Sequence, residues 1–218
     1  MIPFVYNPPL EPYIDVLFED EQILVLNKQS GLLSVPGKRP EHFDCLETRV
    51  KETYPEALQV HRLDRGTSGV FIMARNPDAQ RYLNNGFARR KMEKHYVAEV
   101  YGHVEAEEGT IDLPLIADWP NRPMQMVDHE RGKPSLTHWR VAKRKARTTI
   151  MDLKPETGRS HQLRVHMREL GHSIIGDDFY AKGEALEMSA RLNLHAKSLS
   201  ALHPGTGERV FFDTETPF

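Results

Sequence analysis

The sequence predicts an α+β fold, a single domain with a mixed, largely antiparallel sheet flanked by helices and loops. Many short apolar runs have the length and composition of strands, and few helical segments lie between them. Beyond a proline-rich start, no linker divides the chain. Its 218 residues are 39% hydrophobic, which is enough for a substantial core. We therefore expect an extended arm at 1–12 and one catalytic domain at 13–218.

The N-terminal half alternates between strand and helix signals. Four prolines favour an extended arm before residue 13, and two apolar runs joined by an acidic turn predict a hairpin over 14–28. A helix is expected over 44–54, where Asp44 and Glu47 have the spacing of a capping box.

Later segments are assigned in the same way. A second helix is expected over 76–87, with Asn76 as its cap, and a third over 160–170, ended by Gly171. The remaining apolar runs predict strands at 69–75, 94–102, 109–116, 136–154, 192–204 and 208–214.

Composition excludes several classes of protein. The single cysteine, Cys45, permits no internal disulfide. The first residues do not have the pattern of a signal peptide, so none is expected, and no apolar run in the sequence is long enough to cross a membrane. We therefore expect a cytoplasmic protein with no membrane partner. Neither a GxxxxGK[ST] nor a GxGxxG loop is present, so no nucleotide cofactor is expected.

Charge is segregated along the chain despite a net value of −2. Residues 140–168 contain nine basic and two acidic side chains. Such a block could attract a polyanion, although it also fits a solvated basic pair of strands.

The segment "HRLDRGTSG" at 61–69 contains the first candidate for chemistry. Arg62 and Asp64 could project to the same side of an extended strand, and the neighbouring arginines would keep the carboxylate ionised. Gly66 and Gly69 allow a sharp loop. The pattern suits an anionic nucleophile or base, and it also suits a partly buried ion pair in a turn.

A second candidate is "ETGRSHQLRVHM" at 156–167, where basic residues surround a predicted helix start that could attract phosphate. An ordinary amphipathic basic helix would look the same. The 11 histidines lack ligand spacing, since His161 and His166 are five residues apart and no cysteine pair accompanies them. No metal is therefore expected.

Together these segments resemble the RluA-type pseudouridine synthases. "HRLDRGTSG", "EKHYVAEVYG" at 93–102 and "GRSHQLRVHM" at 158–167 match three family motifs in order. The opening motif "VLNKQSGLLSVPG" at 25–37 also matches, except that Gln29 replaces the usual proline. The closing strand at 192–204 completes the similarity, which extends from about residue 13 to the C-terminus.

The resemblance implies isomerisation of uridine to pseudouridine in RNA without a cofactor. Asp64 would be the catalytic carboxylate, Tyr96 the active-site tyrosine and Arg164 the basic residue paired with the aspartate. Leu163 would form an apolar wall of the base pocket. The other positions expected to contact RNA are His61, Arg62, Lys94, Arg159 and His161.

Substrate choice follows from finer similarities. The opening motif begins so early that no S4-type RNA-binding domain is expected before it. The arm "YNPPLEPY" and the segment "DWPNRPMQ" at 118–125 resemble the dual-specificity members of the family. This resemblance implies two RNA partners, a hairpin loop of 23S rRNA and the tRNA anticodon stem-loop, and we expect a monomer.

Two other functions stay open at this stage. One is an RNA-binding or ribosome-assembly module that has kept the fold and lost activity. The other is a metal-dependent RNA hydrolase that uses Asp64 with histidines. The sequence also leaves open whether Asp64 attacks the sugar, attacks the base or removes a proton from the sugar.

Overall fold

The computed structural model describes residues 6–218, which form two compact units. Among the described residues, the first comprises 6–92 and Ser198–Glu215, and the second comprises Glu93–Lys197 and Thr216–Phe218. The chain passes from the second unit to the first inside one strand, between Lys197 and Ser198. The assignment of both units to one catalytic domain at 13–218 stays a prediction.

The first unit is organised around antiparallel strands. The predicted hairpin over 14–28 is confirmed. Its second strand pairs antiparallel with the strand that begins at the end of "HRLDRGTSG" (61–69), which we call the signature segment. The strands are β1 (Val16–Glu19), β2 (Ile23–Lys28), β3 (Leu58–Gln59), β4 (Ser68–Ala74), the Ser198–Leu202 part of β11 (Leu194–Leu202) and β12 (Arg209–Asp213).

The core of this unit lies between its sheet and a helix. Every residue of β4 is buried, which confirms the prediction of a buried strand at 69–75. Ile23 and Ile72 pack with Leu83 of helix α2 (Pro77–Ala88). Burial of such a side chain contributes about 1.5–3 kcal/mol, so this cluster holds the sheet and helix together.

The two helices of the first unit begin differently. Asn76 caps α2 by accepting a hydrogen bond from the Ala79 amide, as predicted. Helix α1 (Leu46–Thr53) is also present, but the predicted capping box of Asp44 and Glu47 is wrong. Cys45 and Thr48 form the box instead. Asp44 lies one residue before the capping position, and its carboxylate instead binds the guanidinium of a residue further along the helix.

That guanidinium belongs to Arg49, which is buried and anchors the N-terminal arm. Its Nε lies 2.5 Å from one oxygen of Asp44, and this hydrogen bond lowers the pKa of the carboxyl. Its Nη1 donates to the Pro9 carbonyl, and the Tyr6 hydroxyl donates to the Asp44 carbonyl. Residues 6–12 form no helix or strand and are tied to α1, while residues 1–5 of the predicted arm lie outside the described part.

In the second unit, four strands pair antiparallel in the order β5-β10-β9-β6, and β7 and β8 form a separate hairpin. The strands are β5 (Glu93–Tyr101), β6 (Glu108–Asp112), β7 (Leu115–Ala117), β8 (Gln125–Val127), β9 (Leu136–Arg144) and β10 (Thr148–Pro155). These elements confirm the predicted α+β class.

Two helices complete this unit, α3 (Gln162–Glu169) and the short α4 (Glu184–Glu187). Helix α3 begins two residues later than the predicted 160–170. Leu163 and Met167 on one of its faces pack against Met151 and Leu153 of β10. The sheet thereby fixes the rotation of α3 and directs its remaining side chains away from this core. No helix within residues 6–218 is both long and apolar enough to span a membrane.

Buried histidine makes stability depend on pH. His195 is 1% exposed, and burial, followed by the nearby charges of Arg191 and Lys197, lowers its pKa to about 4. An unfolded histidine titrates near 6.5, so between these values the unfolded chain binds the extra proton and folding loses stability as pH falls. From pH 7 to pH 5 this group should remove about 2 kcal/mol of stability.

The test is urea unfolding at pH 7 and pH 5 for the wild type and His195→Gln. We expect the variant to show a smaller loss between the two pH values. Equal losses in both proteins would contradict the assignment.

Candidate active site

The signature segment is a loop that leads into the central strand of the first unit. A turn at Arg65 and Gly66 is closed by a hydrogen bond from the Thr67 amide to the Asp64 carbonyl, 3.1 Å long. Asp64 is half-buried and Arg62 is exposed. Gly69 has φ of +110°, a conformation that other residues rarely adopt, so the glycine is needed where the loop enters β4.

A fully buried lysine stabilises the backbone of this loop. Lys28, the last residue of β2, donates hydrogen bonds to the carbonyls of Arg65 and Thr67, at 3.1 and 2.8 Å, and to that of Gln29. An ammonium group has three donors, and a buried charge is tolerated only when it is hydrogen-bonded. The lysine therefore fixes the backbone immediately after Asp64.

Two serines fix the rest of the loop. The Ser34 hydroxyl donates to the Leu63 carbonyl at 2.7 Å and accepts from the Leu63 amide at 3.1 Å. The Ser30 hydroxyl donates to the Gly66 carbonyl, and the Gly31 amide donates to the Arg65 carbonyl. Residues 28–34 thus form a scaffold that holds both sides of Asp64 in place.

Gln29, which replaces the proline usual in the resembling family, belongs to the same scaffold. Its side-chain amide donates to the Pro12 carbonyl at 2.6 Å. This contact connects the scaffold to the N-terminal arm. The Gln29 Oε1 atom is buried without a hydrogen-bond partner among the described residues.

His61 begins the signature segment and has a packing role. Its ring stacks on Phe71 and Phe87, with centroids 4.4 and 4.8 Å away, and its Nε2 accepts a hydrogen bond from the Ile72 amide. These contacts hold the start of the loop against β4. The expected contact of His61 with RNA stays a prediction.

In the second unit, Arg164 is 3% exposed and is clamped by acidic residues. Its Nε and Nη2 bind the two oxygens of the fully buried Asp177 at 2.8 and 2.6 Å, and Nη2 also binds Asp178. Asp177 in turn accepts from the backbone amides of Phe179 and Tyr180. The guanidinium is therefore held rigidly, and helix α3 is not a simple solvated basic helix. Sequence analysis missed Asp177, whose only signal was the acidic pair at 177–178.

The expected wall of the base pocket lies in the same unit. Tyr96 is half-buried on β5, opposite Leu153 of β10, and it packs against the core cluster that includes Leu163. The structure thus brings Tyr96 and Leu163 into one apolar cluster. Leu163 also directly precedes Arg164 on α3.

The other predicted RNA-binding residues of this unit surround the start of α3. His161 has φ of +54°, and its Nδ1 lies 2.7 Å from the Tyr180 hydroxyl. Arg159 is exposed and its Nε donates to the Pro134 carbonyl, while Lys94 Nζ donates to the Thr157 carbonyl at 3.1 Å. Their contacts with RNA stay predictions, as does the pairing of Asp64 with Tyr96 and Arg164.

The basic block at 140–168 is largely neutralised within the second unit. Arg144 pairs with Glu107 at 2.8 Å, Lys145 pairs with Glu99 at 3.0 Å, and Arg147 pairs with Glu184. Burial opposes ionisation of Glu99, but hydrogen bonds from Thr148 and Lys145 give it a lowered pKa. The charge count therefore overstates the cation density that this block offers to a polyanion.

The structure also shows the surroundings of the 118–125 segment and the grouping of potential metal ligands. Trp119, in the "DWPNRPMQ" segment between β7 and β8, is 65% exposed, and the guanidinium of Arg122 lies over its ring. Within residues 6–218, no three histidine, cysteine or acidic side chains are grouped so that they could hold a metal ion.

The family profile, the related sequences and the solved structure that resemble this chain are all described as pseudouridine or pseudouridylate synthases. A family profile described as RNA pseudouridylate synthase matches residues 22–169. The dual-specificity RNA pseudouridine synthase RluA of Escherichia coli K12 is 51% identical over 98% of both chains. Its counterpart in Vibrio vulnificus is 57% identical over 91% of this chain and 82% of its own length. The solved structure of human RNA pseudouridylate synthase domain containing 1 has a TM-score of 0.81 at 28% identity, covering 97% of this chain and 87% of its own.

The role of Lys28 can be tested by stability. Lys28→Met keeps the length of the side chain but removes one hydrogen bond from each of three buried or partly buried carbonyls, although the Gly31 amide still binds that of Arg65. We therefore expect a loss of about 3 kcal/mol in the free energy of unfolding. Lys51→Met is the control, because Lys51 is exposed and bonded to Glu47 only through a surface pair. Its loss should stay below about 0.5 kcal/mol. Equal losses in the two variants would refute the buried-lysine account.

Proposed function

The chain belongs to the RNA pseudouridylate synthase family, isomerases that act on RNA, and we propose that it modifies two substrates, a hairpin loop of 23S rRNA and the tRNA anticodon stem-loop. The observation that carries the proposal is near full-length identity of 51% to a relative named as dual-specific. The arm and the 118–125 segment, noted as dual-specificity features of the sequence, support it. We also propose that the protein acts as a cytoplasmic monomer without a cofactor.

The reaction is an isomerisation that exchanges the bond between uracil and ribose without loss of any atom from the nucleotide other than one proton, which is replaced. The bond between N1 of uracil and C1′ of ribose breaks, the base rotates, and C5 joins C1′. The proton lost from C5 is released, and N1 gains a proton. One positioned carboxylate can start this sequence, and we assign that role to Asp64 because the loop around it is fixed on both sides.

Three routes are compatible with this assignment for the first step of the reaction. Asp64 can attack the sugar, attack the base or remove a proton from the sugar. Each route needs an ionised carboxylate at a fixed position, which the scaffold of residues 28–34 provides. Preorganisation of this kind lowers the barrier because no backbone rearrangement is needed in the transition state.

The partners of Asp64 are assigned from the second unit. Tyr96 can stack on the uracil ring and its hydroxyl can move a proton, while Leu163 supplies apolar surface. Arg164, which Asp177 orients, is proposed as the basic residue that pairs with the catalytic aspartate.

The remaining site residues are assigned to RNA binding. The target nucleotide has to be turned out of its loop at a cost of a few kcal/mol. Arg62 is exposed beside Asp64 and can stack in the gap or hold the flipped backbone. Secondary contacts with the RNA backbone are proposed for His61, Lys94, Arg159 and His161.

Two assays separate this function from its alternatives. Tritium release from RNA that contains C5-labelled uridine distinguishes a synthase from these alternatives, because neither RNA hydrolysis nor RNA binding removes that hydrogen. A metal-dependent hydrolase would instead cleave RNA and stop in EDTA, and a binding module would do neither. Release that persists in EDTA supports the proposal, and its absence overturns it.

Asp64→Asn tests the catalytic assignment. The amide keeps the shape of the side chain but lacks the charge, so the single-turnover rate should fall at least roughly a thousandfold, or about 4 kcal/mol of barrier. RNA affinity, measured by fluorescence anisotropy, should change much less. A rate within tenfold of the wild type would remove Asp64 from the chemistry.

Dual specificity is tested by mapping pseudouridine in total RNA from a strain that lacks this gene. We expect one rRNA site and the tRNA anticodon-loop site to lose the modification, and both to regain it when the gene is restored. Loss at only one of them would reduce the proposal to a single substrate.

A further inference from the structure

A cavity of about 220 Å³ lies in the first unit, at the C-terminal end of α2. Its floor is apolar, formed by the buried Met92 and by Leu202 of β11. Its rim holds one aromatic ring, one amide and two cations, namely Tyr82, Asn85, Arg89 and Lys91. None of these residues belongs to the site assigned above.

The shape of the cavity depends on a glycine in the helix. A Cβ atom at Gly86 would lie 2.7 Å from the methyl carbon of Met92, so a larger residue would displace the methionine. Tyr82 is 40% exposed at the rim. The result is a small slot with an apolar floor and a partly exposed ring, dimensions that suit one flat heterocycle better than an extended ligand.

The turn after α2 is rich in cations that lack partners. Arg89, Arg90 and Lys91 are exposed, and within residues 6–218 no acidic side chain pairs with any of them. Arg81 on the same helix differs, since Asp78 neutralises it. Arg144, Lys145 and Arg147 are likewise paired with acidic side chains. A count of charges along the sequence does not reveal the cations at 89–91, because residues 61–139 as a whole contain equal numbers of basic and acidic residues.

The backbone at Arg90 gives independent evidence. Its φ is +56°, and the Lys91 amide donates to the Gly86 carbonyl while the Arg90 amide donates to the Phe87 carbonyl. These two bonds form the helix ending that normally has glycine at the left-handed position. The left-handed conformation costs an arginine stability that glycine would retain. The attraction of cations to a helix C-terminus accounts for Arg89 but does not require an arginine at this strained position.

We propose that this cavity and turn form a second RNA subsite, in which Arg89, Arg90 and Lys91 bind phosphates and the slot over Tyr82 takes one unpaired base. The inference rests on the proposed function, because it takes the RNA substrate as the ligand. Single-stranded RNA segments expose bases that stack on aromatic rings while basic side chains follow the backbone. A nucleotide next to the target loop has both chemical features.

The charge of the subsite is tested by binding without turnover. An anticodon stem-loop with cytidine in place of the target uridine is titrated at several salt concentrations against wild type, Arg89→Ala/Lys91→Ala and the control Lys51→Ala/Arg81→Ala. The control removes the same net charge from exposed positions of the same unit, where each cation is already paired with an acid. We expect a roughly tenfold weaker affinity and a salt slope smaller by about 1.4–1.8 for the subsite variant only. Equal affinity and slope in the two double variants would overturn the proposal.

The aromatic slot and the strained arginine are tested in the same assay. Tyr82→Ala should weaken binding roughly tenfold and Tyr82→Phe less than twofold, because stacking needs only the ring. Arg90→Gly should melt no lower than wild type, and up to about 4 °C higher, while binding RNA more weakly. Unchanged affinity in both Tyr82→Ala and Arg90→Gly would show that these residues serve only the fold.

Activity separates this inference from the proposed function. The subsite variants should keep kcat within about twofold of the wild type at saturating RNA and raise KM. If the wild type forms no pseudouridine, the proposed function falls, while the cytidine RNA still decides whether the subsite binds RNA. A loss of kcat without a change in KM or affinity would contradict the subsite.

Discussion

The arrangement around Asp64 depends on one buried ammonium group. Lys28 is fully buried and donates hydrogen bonds to the carbonyls of Gln29, Arg65 and Thr67. These carbonyls help to compensate the buried charge, and removal of the ammonium group would take one hydrogen bond from each of them, although the Gly31 amide still binds that of Arg65. The loop and the lysine therefore stabilise each other, and the loop geometry becomes part of the folded core.

This dependence joins two motifs that are far apart in the sequence. Residues 28–34 hold the backbone of the loop through Ser30, Gly31 and Ser34 as well as Lys28. A mobile loop would have to be ordered each time a substrate bound. A loop fixed in advance leaves binding energy available for turning out the target nucleotide.

Much of the fold follows from local sequence patterns. The β1-β2 hairpin, the buried strand β4 and the Asn76 cap could be predicted because each depends on residues close together in the chain. The capping residues of α1 could not, because Asp44 is a good cap by type but is taken by Arg49. Long-range partners override local preference wherever a buried charge needs one.

In the candidate site, too, local motifs could be predicted from the sequence and long-range partners could not. The motif containing Asp64 was recognisable from its residues, but neither the role of Lys28 nor the clamp of Asp177 on Arg164 follows from spacing along the chain. Charge counting erred in both directions. It emphasised a block in which Arg144 and Arg147 are paired with acidic side chains. It also passed over the 89–91 turn, because acidic residues elsewhere in 61–139 equal the basic ones in number.

The central claim, that the loop around Asp64 is part of the core before RNA binds, is tested most directly by amide hydrogen exchange on the free protein. The Gly31 amide donates from the scaffold to the loop, the Leu63 amide donates from the loop to the scaffold, and the Thr67 amide donates within the loop. They should exchange as slowly as the amides of β4, since only global unfolding would expose them. Exchange of these three amides at rates typical of open surface loops would contradict the claim.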